Sequence, residues 1–130
     1  MTVLGGFHHV KLPVSSVHKS LEWYRRVFGL EVAIEFVEDG VLRGVALRDA
    51  GHTLMLALRE DPPRAAGLAG LDPLALGVPT VRELRGWSDR LDVLGVEHTE
   101  LTEGSVGWLI GGILDPDGIE IRLYTHEERS

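Results

Sequence analysis

Apolar and polar residues alternate along 7–14 (FHHVKLPV), with Val10, Leu12 and Val14 on one face and His9, Lys11 and Pro13 on the other. A period of two is that of a half-buried strand. Ser15 and Ser16 then offer N-cap hydroxyls, and Val17, Leu21, Tyr24 and Phe28 recur at helical spacing up to Gly29, a natural left-handed helix stop. Segments 30–37, 41–47 and 52–58 are strand-like, separated by Glu38-Asp39-Gly40 and Asp49-Ala50-Gly51. The first half therefore predicts strand, helix and three strands.

The same order recurs downstream. Leu74, Leu76 and Val78 alternate with Pro73, Ala75 and Gly77, and Thr80-Val81-Arg82-Glu83 matches a capping box. Leu84, Trp87, Leu91 and Leu94 form a helical stripe closed by Gly95. Three further strands are expected at 96–101, 106–114 and 119–124, the last two joined by the turn Asp115-Pro116-Asp117-Gly118. The intervening stretch 61–71, with Pro62-Pro63, reads as a connector. One unit thus occurs twice at an offset of about 65 residues, spanning about 5–60 and about 72–126 of a single 1–130 domain. Alternation assigns Leu54, Leu56, Leu74, Leu76, Ile119, Ile121 and Leu123 to the helix-covered faces.

Composition narrows the function classes. The chain has 13 basic and 20 acidic residues, a formal charge of -7, and no basic cluster, which disfavours nucleic acid as a partner. Cysteine is absent, removing disulfides, thiolate metal sites and a cysteine nucleophile. No apolar run approaches the roughly 20 residues of a membrane span, and MTVLGGFHHV lacks the features of a signal peptide. The expectation is a soluble, cytoplasmic protein without a membrane partner. Ser88 and Ser105 sit in no nucleophile motif.

HHVKLPV followed by SLEWYRRVFGLEV, and GGILDPDGIEIRLY near the end, give the chain its resemblance to the vicinal oxygen chelate superfamily. That group includes glyoxalase I, extradiol dioxygenases, fosfomycin-resistance enzymes and bleomycin-binding proteins. The resemblance covers essentially the whole chain. It implies an α+β fold in which two βαβββ units form a cupped mixed sheet, helices on the outer face and ligand inside. It also implies a homodimer, with units paired within or between chains. Metal enzymes of the group place a His or carboxylate ligand on the first and last strand of each unit. Here those positions fall on His9, Met55, Pro73 and Arg122. Proline offers no donor, a thioether suits hard divalent ions poorly, and a guanidinium repels them. No metal ligand set and no cofactor are expected, although His9 with Glu120 leaves a weak or dimer-bridging metal site as an alternative.

The expected ligand-binding wall is His9, Lys11, Met55, Trp108, Glu120, Arg122 and Tyr124, with Arg122 either pairing structurally with Glu120 or receiving a ligand anion. His8, adjacent to His9 on a strand, is expected to face the other way. Trp23, Tyr24 and Trp87 read as helix packing, and Glu127 and Glu128 as a solvated face. The favoured function is metal-independent binding of a small molecule, an antibiotic or metabolite. The alternative is an enzyme of the same superfamily: a metal lyase, isomerase or dioxygenase with relocated ligands, or a metal-free acid–base catalyst using His9, Lys11 and Glu120.

Overall fold

The structure is a computed structural model and describes residues 1–127. The chain forms two compact units, Met1–Gly67 and Leu68–Ser130. Glu128 lies outside the described residues.

Unit 1 runs β1 (Val10–Val14), α1 (Val17–Phe28), β2 (Glu31–Glu38), β3 (Val41–Arg48), β4 (Met55–Glu60) and a short α2 (Pro62–Gly67). Its sheet has the order β1-β4-β3-β2, with β1 parallel to β4 and the remaining pairs antiparallel. Ser16 caps α1 by accepting from the Lys19 N–H, and Gly29 ends it at φ 69°. The helix lies against β3 and β4. Its Val17, Tyr24, Val27 and Phe28 are buried, as are Val45, Leu47, Leu56 and Leu58 of the sheet. Alternation thus gives this sheet one covered face and one open face.

Unit 2 repeats the plan with β5 (Leu74–Gly77), α3 (Val81–Leu94), β6 (Thr102–Glu103), β7 (Trp108–Leu114) and β8 (Glu120–Thr125), in the order β5-β8-β7-β6. Thr80 accepts from the Glu83 N–H and Gly95 closes the helix at φ 71°. Leu84 and Leu91 of α3 are fully buried, together with Ile110, Ile113, Ile119, Ile121 and Leu123. Leu54, Leu74 and Leu76 are only half-buried, so their share of the core is smaller than the alternation implied. The turn before β8 is held by Asp115, whose carboxylate accepts from the Asp117 and Ile119 N–H groups.

Three expectations are corrected. The connector contains α2, whose Ala65 is buried, because Asp61 supplies an acceptor for the Arg64 N–H and lets Pro62-Pro63 start a helix. The sixth strand is not 96–101 but the two-residue β6. The cause is a bulge in β7 between Ile110 and Ile113, where Gly112 adopts φ 71°. Thr99 fills that bulge, exchanging bonds of 2.8 and 2.9 Å with Gly111, and holds 96–101 out of the ladder. Glu127 is exposed yet not merely solvated, since its carboxylate accepts from the Val81 N–H at the start of α3 (2.5 Å). Glu60 does the same for the Val17 N–H of α1 (3.1 Å) while Arg43 pairs with it. The Val17 hydrogen bond, ahead of the Arg43 charge, holds the Glu60 carboxyl below the usual range.

Beside the bulge, His98 Nε2 lies 2.6 Å from Asp92 and its Nδ1 lies 2.7 Å from the Thr99 carbonyl. Both partners are acceptors, so both ring nitrogens carry protons and the imidazolium is the favoured form. Burial opposes that charge most strongly, but Asp92 and Thr99 together outweigh it and the pKa is raised above 6.5. A raised folded-state pKa contributes stability below the unfolded value that is lost as pH climbs through the folded value. The urea midpoint should therefore fall across that window, and Asp92→Asn should flatten the fall. A midpoint independent of pH there, in the unsubstituted protein, would contradict the pairing.

No helix among the described residues is long and apolar enough to cross a membrane.

Candidate functional site

The open face of the first sheet is built by register. Lys11 pairs with Ala57, Ala57 with Ala46, and Ala46 with Ile34, forming one row. The adjoining row holds Arg48 opposite Met55, and His9 precedes β1 at the same level, since Val10 pairs with Leu56. Phe36 lies opposite Gly44, where a Cβ would touch the ring at an ordinary 3.6 Å but would meet the Leu58 carbonyl oxygen at 2.9 Å, so it is the close approach of the β4 backbone that requires glycine there. Ile34 and Phe36 are 46% and 44% exposed, an apolar surface beside a cationic row.

His8 departs from its expected direction. Both histidines precede β1, where strand alternation does not apply, and their Nδ1 atoms approach to 2.8 Å with rings edge to face. One ring must donate and the other accept.

On the open face of unit 2, Glu120, Arg122 and Tyr124 of β8 stand opposite the buried Ile121, Leu123 and Thr125. Arg122 is held from two sides. Its Nε donates a short hydrogen bond to Glu120, and its NH1 lies 3.1 Å from Asp72. Glu120, then Tyr124, raise its pKa further, so the guanidinium stays charged. Of the two roles weighed for Arg122, structural pairing is the one its geometry satisfies. Trp108 does not join this set. It pairs with Thr125, so it shares the helix-covered face, and Leu109 takes the place beside Tyr124.

The expected wall thus divides into His9, Lys11 and Met55 on unit 1 and Glu120, Arg122 and Tyr124 on unit 2, with Trp108 excluded. Two residues that matter were missed. Asp72, just before β5, neutralises Arg122. Arg48 ends an apolar run (VLRGVALR) and reads in sequence as a strand boundary.

The donor chemistry does not fit the chelated divalent ion of the metal enzymes. Proline, thioether and guanidinium occupy three of the four ligand positions, and Glu120, the carboxylate two residues before the Arg122 position, is engaged by Arg122. Among the described residues no group of three or more His, Asp or Glu is arranged to hold a metal.

The chain has recognisable relatives. A curated protein of Bacillus subtilis (strain 168), MhqA, provisionally described as a ring-cleaving dioxygenase, is 24% identical over 132 residues. That match takes in 96% of this chain but 42% of MhqA, so the chain spans less than half the length of that relative. Among solved structures, a glyoxylase/bleomycin resistance protein/dioxygenase domain from Frankia sp. EAN1pec superposes with a TM-score of 0.78. Its identity is 24%, with 98% of this chain and 96% of that one covered. TnmS3, an antibiotic binding protein from Streptomyces sp. CB03234, gives a TM-score of 0.72 at 22% identity, covering 92% and 97%. The profile of the Glyoxalase/Bleomycin resistance protein/Dioxygenase superfamily matches residues 6–123. With the duplicated βαβββ plan and this match across nearly its full length, the chain belongs to the glyoxalase/bleomycin resistance protein/dioxygenase superfamily.

Proposed function

We propose that this chain is a cytoplasmic, homodimeric, metal-independent binding protein for a small antibiotic or metabolite. The observation that carries the reading is the loss of ligand chemistry at three of four metal positions, with Glu120 locked to Arg122. An ion on the unit 2 face would have to break that pair, and the unit 1 face offers it a single imidazole, His9, at the ligand positions. The open strand faces instead set apolar surface from Ile34, Phe36, Met55 and Leu109 among charged and polar side chains, a combination that suits a small molecule with an apolar body and a polar group. The match to MhqA keeps an enzyme, metal-dependent or acid–base, as the second reading.

Elemental analysis of protein purified without chelator tests the reading, followed by mass spectrometry of aromatic and antibiotic compounds incubated with it. The expected outcome is no stoichiometric Fe, Mn, Ni or Zn and saturable binding with each compound recovered unchanged. Tightly held stoichiometric metal, or a converted compound, overturns it.

A further inference from the structure

We propose that Arg48 is the anion-recognising group of the unit 1 open face. The ligand is accordingly an apolar or aromatic molecule bearing a carboxylate or comparable oxyanion. This inference rests on the small-molecule reading above and adds the ligand's charge class to it.

Elimination among the cations supports it. Arg122 is neutralised by Glu120 and Asp72. Arg59, on the same open face as Arg48, is tied to both carboxylate oxygens of Glu38. Arg43 projects from the other side of β3 and pairs with Glu60. Arg48 alone among these arginines makes no ion pair with a described residue, and its Nε is shut off from water without an acceptor. Glu31, its partner across the β2–β3 ladder, is exposed and forms no bridge to it. An unmet guanidinium donor is costly; the terminal nitrogens, which are neither shut off nor paired with a described residue, are the ones an oxyanion can reach, and a turn of the side chain brings Nε into the same fork.

The neighbours suit such an occupant. Met55, opposite Arg48, has a flexible thioether that can yield to a planar group. Lys11, on β1 and separated from Arg48 by β4, makes no ion pair among the described residues and adds positive charge to the same open face. Ile34 and Phe36 continue the same face as an exposed apolar floor. An anion at one end and a hydrocarbon at the other is what this surface would accept, whereas a neutral amide offers the Arg48 fork a single uncharged acceptor in place of a charged pair.

Calorimetric titration of 2-naphthoate against its neutral isostere 2-naphthamide tests the charge class. The expected result is a preference for naphthoate of about tenfold or more, carried by the paired charge-assisted hydrogen bonds. Arg48→Gln should abolish the preference while leaving naphthamide affinity unchanged. Arg48→Lys should keep part of it, and Arg43→Gln should keep all of it. The Arg48 side-chain N–H resonances should move further during the naphthoate titration than with naphthamide. Equal binding of the two probes, or a preference that survives Arg48→Gln, overturns the Arg48 subsite but leaves small-molecule binding standing. Binding of neither probe overturns the subsite; if the broader compound set also fails to bind, the functional reading falls with it. Thermal melting of Arg48→Gln and Arg48→Lys checks that each variant is folded.

Discussion

Gly107→Ala should destabilise the protein by about 3 kcal/mol or more. Gly107 is buried, sits at φ 68°, and an added Cβ would lie 1.8 Å from the Thr125 carbonyl oxygen and 2.9 Å from its carbon. Two costs add. An alanine in the left-handed region is strained by about 1 kcal/mol, and the clash is with backbone, which cannot swing aside as a side chain can. Relief requires opening the ladder where Trp108 pairs with Thr125, next to the bond from the Gly104 N–H to the Gly107 carbonyl (2.9 Å). Urea denaturation followed by far-ultraviolet circular dichroism measures the loss. Gly77→Ala, where nothing lies within 4 Å and φ is not positive, is the control and should stay within about 0.5 kcal/mol. A wild-type midpoint for Gly107→Ala would mean that the approach to Thr125 is wrong.

The second large effect is expected in the core of unit 2. Leu84→Ala and Leu91→Ala should each cost about 2–5 kcal/mol, because both side chains are fully buried and leave cavities in a close-packed interior. Leu74→Ala should cost clearly less, as half of that burial is missing from the start. Val93→Ala, on the exposed face of the same helix at 86% accessibility, should change stability by no more than about 0.5 kcal/mol. The ordering Leu84 and Leu91, then Leu74, then Val93 is the discriminating result. Equal losses at Leu84 and Val93 would show that α3 does not present this face to the sheet.

Local signals explain why most of the architecture was readable in the sequence. Ser16 and Thr80 cap, Gly29 and Gly95 stop, and the period-two runs 55–60 and 120–125 sort covered from open side chains as expected. What escaped was non-local. The bulge at Gly111 and Gly112 depends on Thr99 arriving from a dozen residues upstream, so 96–101 carried strand composition without strand pairing. Trp108 was misplaced because the register of β7 against β8 is fixed by pairing with Thr125, and no residue near Trp108 announces that partner. The site was readable to the level of face but not of charge balance. The sequence leaves Arg122 between pairing with Glu120 and receiving an anion, and only the fold adds Asp72 as its second partner, whereas Arg48 at the end of an apolar strand carries no local signal of its unpaired charge. Periodicity ranks positions as inward or outward; it does not count which ions have already found partners.

The paired carboxylates at the helix starts have a kinetic side. Each helix obtains an acceptor for its first N–H only from a residue 43 or 46 positions downstream, Glu60 for Val17 and Glu127 for Val81. Closing so long a loop is entropically slow, so these clasps form late in the folding of each unit. Until then the first turn of α1 or α3 relies on its Ser16 or Thr80 hydroxyl alone, and it frays. Arrival of the final strand, which sits between β1 and β3 or between β5 and β7, therefore joins the first strand to the sheet and completes the opening helix turn in one step. Both units share this design, which makes each half of the chain cooperative over its own length: an unfinished copy leaves its helix visibly unsealed, and a finished one is sealed from both ends.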